Sequence, residues 1–188
     1  EILGYKFVPM YIKGEKGKYQ LTVSEKSWKG LKQTLKQITR KTTPKSISKR
    51  ISEIKSVQRG WVNYFRYASI QQKLRDVDSG IRNRLRYCIW HDWKKPERKR
   101  KNFIRLGLDQ NTAYQWSRTR MGGWAVAQSF ILKTTITLAR FQKRGYVSLL
   151  DYYLKINPER MRGVTLLFNE PPCTRPAWFT LSLSKCTV

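Results

Sequence analysis

The residues of this chain best suited to chemistry are cations set beside aromatic rings. Arg75, Arg82 and Arg86 line one flank of an apolar stripe, and Trp90 and Trp93 follow four and seven residues beyond Arg86. Guanidinium groups make bidentate contacts to phosphate and stack on bases, and indoles offer faces to unpaired bases, so this series suits RNA. The alternative for the two indoles is packing against a neighbouring lobe. The stretch RGWVNYFRYA, residues 59–68, repeats the mixture. At 100° per residue it places Trp61, Tyr64, Phe65 and Ala68 on one side of a helix and Arg59, Asn63 and Arg66 nearly opposite. The rings are then expected in the core and the arginines outside, with no Asp or Glu between Glu53 and Asp76 to neutralise them. A third run, KKPERKRKNFIR at 94–105, holds seven Lys/Arg in twelve positions with one acid. Beside Trp93 and opening a helix, its Lys94, Lys95, Lys99 and Lys101 are candidate phosphate ligands.

Other chemistries find less support. His91 is the only histidine, and no Cys or Ser is placed to form a nucleophilic pair with it. Asp76 and Asp78, in DVDS, read as caps bracketing a helix start rather than as metal ligands. No GxxxxGK loop and no HxE zinc signature is present. Cys88, Cys173 and Cys186 are unevenly spaced and form no CxxC pair, so they read as reduced thiols, with Cys88 in a core.

The elements that must position these groups follow from periodicity. Residues 2–12 and 19–23 are rich in aromatic and β-branched side chains around a KGEKGK turn, which predicts a β-hairpin, with Pro9 marking an edge or a bulge. The period then lengthens to about 3.6. Ser24 caps a helix expected over 25–40 with Trp28, Leu31, Leu35 and Ile38 on one stripe, and KTTPKS breaks it. A second helix from Ser46 places Ile47, Ile51, Ile54, Trp61 and Phe65 together, and a third places Leu74, Val77, Ile81, Leu85 and Cys88 together. Beyond Trp93 the sequence predicts a short helix stopped by Gly107, another capped by Asp109, and a long helix after Gly122 and Gly123. The stripe of that long helix is Ala127, Phe130, Ile131, Thr134, Leu138 and Phe141, and Gly145 closes it. Ser148 then opens a brief helix.

The expected fold class is therefore mainly α: an N-terminal β-hairpin over 1–23, a three-helix bundle over 24–95, a second small helical lobe over 96–154 and an irregular tail over 155–188. Across the 188 residues, 39 Lys/Arg against 12 Asp/Glu leave a net charge of +27, and residues 1–154 hold 34 against 10 of these. A compact state so charged repels itself and calls for a polyanionic partner, for which nucleic acid leads over membrane or an acidic protein. No run approaches the ~20 apolar residues of a membrane span. No secretory signal opens the sequence, so a cytoplasmic setting without membrane association is expected. The start EILGYKF reads as the interior of a strand, as if taken from a longer chain.

The ordered set ILGYKF, a hairpin, KSWKGLKQTLKQITRKT, RGWVNYFRYA, IRNRLRYCIWHDWKKP, NFIRLGL and RMGGWAVAQS resembles the C-terminal part of group II intron-encoded proteins, the reverse transcriptase maturases. The resemblance spans about 2–154. It implies that the segment through residue 23 ends the reverse transcriptase palm, that 24–95 is the thumb and that 96–154 is the maturase domain X. It further implies binding of the host group II intron RNA, stabilised so that the RNA splices itself, and contact with a DNA target or an RNA–DNA template-primer during retrohoming. The upstream palm and fingers of the same protein would be partners. Carried over by position, Arg59, Asn63 and Arg66 fall in the thumb segment. Arg82, Arg86, Lys94 and Lys95 fall at its basic end, and Arg118, Arg120 and Trp124 in the domain X motif. Ala125 departs from the basic residue common after that Trp. The polymerase carboxylates, with the Mg they would use, lie upstream in the family, so this chain is expected to be noncatalytic alone and to hold no cofactor. The tail lacks the His and Cys pattern of the endonuclease that some members carry. Two other readings stand beside this one: a generic basic RNA-binding structural protein, and a fragment with nuclease or polymerase activity of its own.

Overall fold

The computed structural model describes residues 2–9 and 19–158, and those through Tyr153 form one compact unit. The expected KGEKGK turn, the first strand beyond Pro9, Cys173, Cys186 and the tail from 159 lie outside the described residues. The architecture is mainly helical with an antiparallel two-stranded hairpin at the start, in agreement with the expected class. Strands β1 (Tyr5–Pro9) and β2 (Tyr19–Val23) pair from Tyr5 opposite Val23 to Pro9 opposite Tyr19. Pro9 lies opposite Tyr19 in this two-stranded ladder, in which each strand has an unpaired edge that tolerates its missing N–H.

Helices α1 (Glu25–Ile38), α2 (Ile47–Tyr64) and α3 (Gln71–Asp92) form the bundle. Ser24 and Ser46 cap the first two as expected, accepting from the backbone N–H of Ser27 at 3.3 Å and of Lys49 at 3.2 Å. Trp28, Leu31, Leu35, Ile51, Ile54, Leu74, Ile81, Leu85 and Cys88 are all buried. Each large aliphatic among them stabilises the fold by roughly 1.5–3 kcal/mol relative to exposure. Trp28, Trp61 and Phe65 meet in series as tilted pairs, with ring centroids 4.6 and 4.7 Å apart. The hairpin is tied to this bundle by main-chain bonds from Ser24 to Gly4 (2.8 Å) and from Ser69 to Leu21 (2.7 Å).

Two expectations for 59–68 need correction. Tyr64 is 53% exposed rather than buried, because its ring rests on Tyr5 and its hydroxyl donates to the Leu3 carbonyl at 3.0 Å. Val62, fully buried, takes the core position instead. The helix also ends at Tyr64, so Arg66 and Tyr67 lie on the following turn rather than on the helical face.

Helix α4 (Pro96–Arg105) stops at Gly107, whose φ of +92° lets its N–H reach the Ile104 carbonyl while Leu108 reaches that of Phe103. Helix α5 (Gln110–Ser117) starts on Asp109, which accepts from the Thr112 N–H at 3.0 Å. The expected long helix is three short ones: α6 (Gly123–Gln128), α7 (Phe130–Thr135) and α8 (Leu138–Lys143). Ser129 and Thr137 sit in extended conformations between them. The Ser129 hydroxyl donates to the Val126 carbonyl at 2.8 Å, and those of Thr134 and Thr135 donate to Phe130 and Ile131, a local competition that weakens a continuous helix. Each break redirects the chain, so Val126 with Ala127, Ile131 with Leu132, and Thr135 with Ile136 are buried, whereas Phe130 is 63% exposed and Thr134 and Leu138 are exposed.

The last described helix, α9 (Leu149–Ile156), begins on a carboxylate from elsewhere in the chain. Asp78, buried in mid-α3, accepts from the N–H groups of Leu149 (2.9 Å) and Leu150 (3.1 Å), from the Tyr146 hydroxyl (2.9 Å) and from the Ser148 hydroxyl. Two first-turn donors and the positive end of the helix thus meet a negative charge supplied by α3. The reading of Asp78 as a cap for the start of its own helix is corrected: it caps another one. Asp76 is exposed. Among the described residues no helix is long and apolar enough to cross a membrane.

Candidate nucleic-acid interface

The interface begins with a connection that sequence reading treated only as a breaker. After α1 the chain turns through Thr39–Lys45, and Arg50, 1% exposed on the inner stripe of α2, holds the turn in shape. Its guanidinium donates to four carbonyls: Ile38 (2.9 Å), Arg40 (2.7 Å), Thr43 (2.5 Å) and Lys45 (3.2 Å). From α3, the Arg84 Nε donates to the Thr39 hydroxyl at 2.6 Å, and the Cys88 thiol donates to the Thr39 carbonyl at 3.3 Å. Burial raises the Cys88 thiol above its ordinary range and lowers that of the Arg84 guanidinium.

The fixed turn presents Arg40 and Lys41 at the edge of an open groove of about 430 Å³, whose other walls include Thr42, Arg84, Tyr87 and Trp124. Trp124 is 42% exposed and meets Tyr87 edge-on, centroids 5.7 Å apart at 87°, and Lys41 Nζ lies 5.4 Å from the Tyr87 ring centre. Gly123 brings α6 this close: a Cβ there would stand 3.0 Å from Tyr87 and 3.3 Å from Trp90. Among the described residues no carboxylate lines the groove. It offers planar apolar surface beside three cations, which is what a nucleotide's base and phosphate require.

The basic run of α4 is positioned by an aromatic cluster. Phe103, fully buried, contacts Trp90, Trp93 and Trp116 at centroid distances of 6.1, 5.3 and 6.1 Å. Packing Phe103 inward turns Lys95, Arg98, Lys101 and Arg105 to solvent. Lys94, also exposed, makes the corner between α3 and α4 at a φ of +45°, a conformation costing about 1 kcal/mol in a non-glycine residue. Lys99 is half-buried, its ammonium 3.9 Å above the Trp90 ring, and burial lowers its proton affinity.

The remaining predicted contacts divide by location. Arg59 and Arg75 are exposed on α2 and α3, and Arg120 is exposed after α5. Arg82 is half-buried on α3, where it opposes the rise that burial and Asp78 impose on Asp151. Asn63 is exposed and accepts from the Tyr152 hydroxyl at 3.1 Å, and Arg66 lies over the Tyr67 ring, 4.5 Å from its centre, while donating to its hydroxyl. Arg118 sits 4.3 Å from the Tyr114 ring centre and 3.5 Å from Glu97, which also meets Arg100.

Arg86 and Trp90 are corrected as surface residues. Arg86 is 6% exposed and its guanidinium donates to the Ile136 carbonyl and Asn83 Oδ1, both at 3.0 Å, so it braces the α7–α8 break. Trp90 is buried beneath Lys99 and Gly123. Sequence reading missed Arg40, Lys41, Arg84, Tyr87 and the organiser Arg50. The available signal for Arg50 was its place, three residues after Ile47 and four before Ile54, on an otherwise apolar stripe.

Other sites are sparse. Ion pairs engage Glu25, Glu53 and Glu97, and that between Lys73 and Glu25 holds the Glu25 carboxyl below its usual range. A second cavity of about 370 Å³ is lined by Arg105, Arg140, Arg144 and Asp92 over an apolar floor that includes Ile89 and Phe141. Among the described residues no three His, Cys, Asp or Glu side chains gather as a metal site would need.

Residues 28–107 match the family model of the group II intron, maturase-specific domain. The chain carries a group II intron maturase-specific domain. The match runs from Trp28, in the first turn of α1, to Gly107, the glycine that stops α4. The maturase-specific domain therefore supplies the Arg50-held turn, Arg84, Tyr87 and the α4 cations, while Trp124 joins the groove from outside the matched span. Such a domain belongs to the reverse transcriptase-related proteins that act in group II intron splicing. No curated protein matches the chain.

Proposed function

We propose that this chain is the RNA-binding thumb and maturase module of a group II intron reverse transcriptase. It binds the folded host intron RNA and stabilises the form in which that RNA splices. During retrohoming the same cations help hold the template-primer against the upstream palm, which supplies the polymerase carboxylates and their Mg. The module itself needs no cofactor and works in the cytoplasm. The observation that carries this reading is the coincidence of the family match with a groove whose lining, among the described residues, joins three cations and two rings without a carboxylate. Phosphate neutralisation by such cations makes affinity fall steeply with salt whatever RNA is bound, so discrimination rather than affinity is the test.

The experiment compares binding of the host intron RNA with an unrelated structured RNA of equal length, in excess tRNA at physiological salt. The expected result is a clear preference for the intron RNA. Equal affinities would reduce the protein to a generic basic RNA binder and overturn the specific reading.

A further inference from the structure

We infer that the groove between the α1–α2 turn, α3 and α6 takes a single unpaired nucleotide, with its base on Trp124 and its phosphate on Lys41 and Arg40. The inference rests on the RNA-binding reading above and specifies what part of an RNA this site recognises.

Three observations converge on it. First, the indole of Trp124 is 42% exposed although α6 is otherwise packed by the buried Val126 and Ala127. Its neighbour Tyr87 meets it edge-on, so Tyr87 supports the indole without covering it as a parallel stack would. Second, the groove is about 430 Å³ and open at its mouth, a space suited to one nucleotide. Third, the cations are of two kinds. Arg84 is anchored to Thr39 and to the Lys36 carbonyl, at 2.6 and 3.2 Å, and forms part of the wall. Arg40 and Lys41 are exposed on a turn whose main chain is held from beneath by Arg50, so they meet a phosphate from a fixed base.

A site built this way reads single-strandedness. A base held in a helix has both faces covered by its neighbours, whereas a base in a loop, bulge or end can lie against an indole. Base stacking on an aromatic ring tolerates any base, so the site does not discriminate by base identity. The intron RNA would therefore engage it through an unpaired position at a defined place in its fold.

The test measures affinity for a single-stranded RNA of about ten nucleotides, within the range such sites occupy, and for a blunt duplex of the same length. Wild type is compared with Trp124→Ala, Trp124→Phe and Lys41→Ala. Expected is a loss of about tenfold or more in single-strand affinity for Trp124→Ala, with duplex affinity unchanged and most binding kept by Trp124→Phe. Lys41→Ala should weaken single-strand binding and lower its salt slope by about one ion. Far-ultraviolet circular dichroism of each variant reports whether α6 is intact. Equal losses on both RNAs in a folded Trp124→Ala protein, or no loss on either, overturn the inference. The outcome is separable from that of the intron comparison: a wild-type protein without preference for intron RNA can still lose single-strand binding with Trp124, and one with that preference can keep it.

Discussion

Replacing Asp78 with asparagine removes the charge that four donors share, and it does so where water cannot make up the loss. Asparagine keeps one acceptor oxygen and turns an N–H₂ toward groups that are themselves donors. Asp78→Asn is expected to lower stability by about 3 kcal/mol, measured by urea unfolding, because hydrogen bonds to a charged group contribute about 1.5–3 kcal/mol each and several are weakened. An unchanged midpoint would show that the α9 start is held by its apolar contacts alone. Asp78 also marks the limit of what local spacing reveals. DVDS announces a capping aspartate, and a capping aspartate is present, but its helix lies about seventy residues away. Arg86 was misjudged for a related reason: an arginine on the flank of an apolar stripe looks solvated until a second layer packs on that flank.

At the level of helices, α1, α2, α3, α4 and α5 were legible because each carries its own signals: a serine or aspartate cap, a stripe at 3.6 spacing, a glycine stop. The segment 123–143 was not. Its apolar residues keep a helical period, yet Ser129, Thr134, Thr135 and Thr137 give the backbone alternatives that tertiary packing exploits: α6 turns Val126 and Ala127 inward, α7 turns Ile131 and Leu132 inward, and α8 turns Phe141 inward. The groove was half legible for the same reason. Trp124 could be picked out, whereas Arg40 and Lys41 sit in a turn whose shape depends on the buried Arg50. The junction of α6 with α3 gives a prediction of its own. Gly123→Ala places a methyl group 3.0 Å from Tyr87 and 3.3 Å from Trp90. Overpacking of this kind costs about 1–3 kcal/mol. Thermal unfolding should therefore show a lower midpoint, and single-strand RNA binding should fall with it, because the Trp124–Tyr87 edge contact must open. A variant with native stability would mean that the Tyr87 ring swings aside freely.

For the molecule as a whole, the excess of 39 cationic side chains over 12 acidic ones opposes compaction. Raising salt from about 0.1 M to about 1 M shortens the Debye length from about 10 Å to about 3 Å and relieves that repulsion. The free protein is expected to melt at a higher temperature as salt rises, by several degrees in a scanning fluorimetry series, while its RNA complex dissociates. The two salt dependences have opposite sign, and a melting temperature that falls with sodium chloride would contradict the account. Arg50 stands apart from both trends. Its four acceptors are peptide oxygens, which neither take up protons in the accessible range nor attract a competing cloud of small ions. The scaffold beneath Arg40 and Lys41 is consequently insulated from the buffer, and conditions that release a bound nucleotide should leave the cradle formed and ready for the next one.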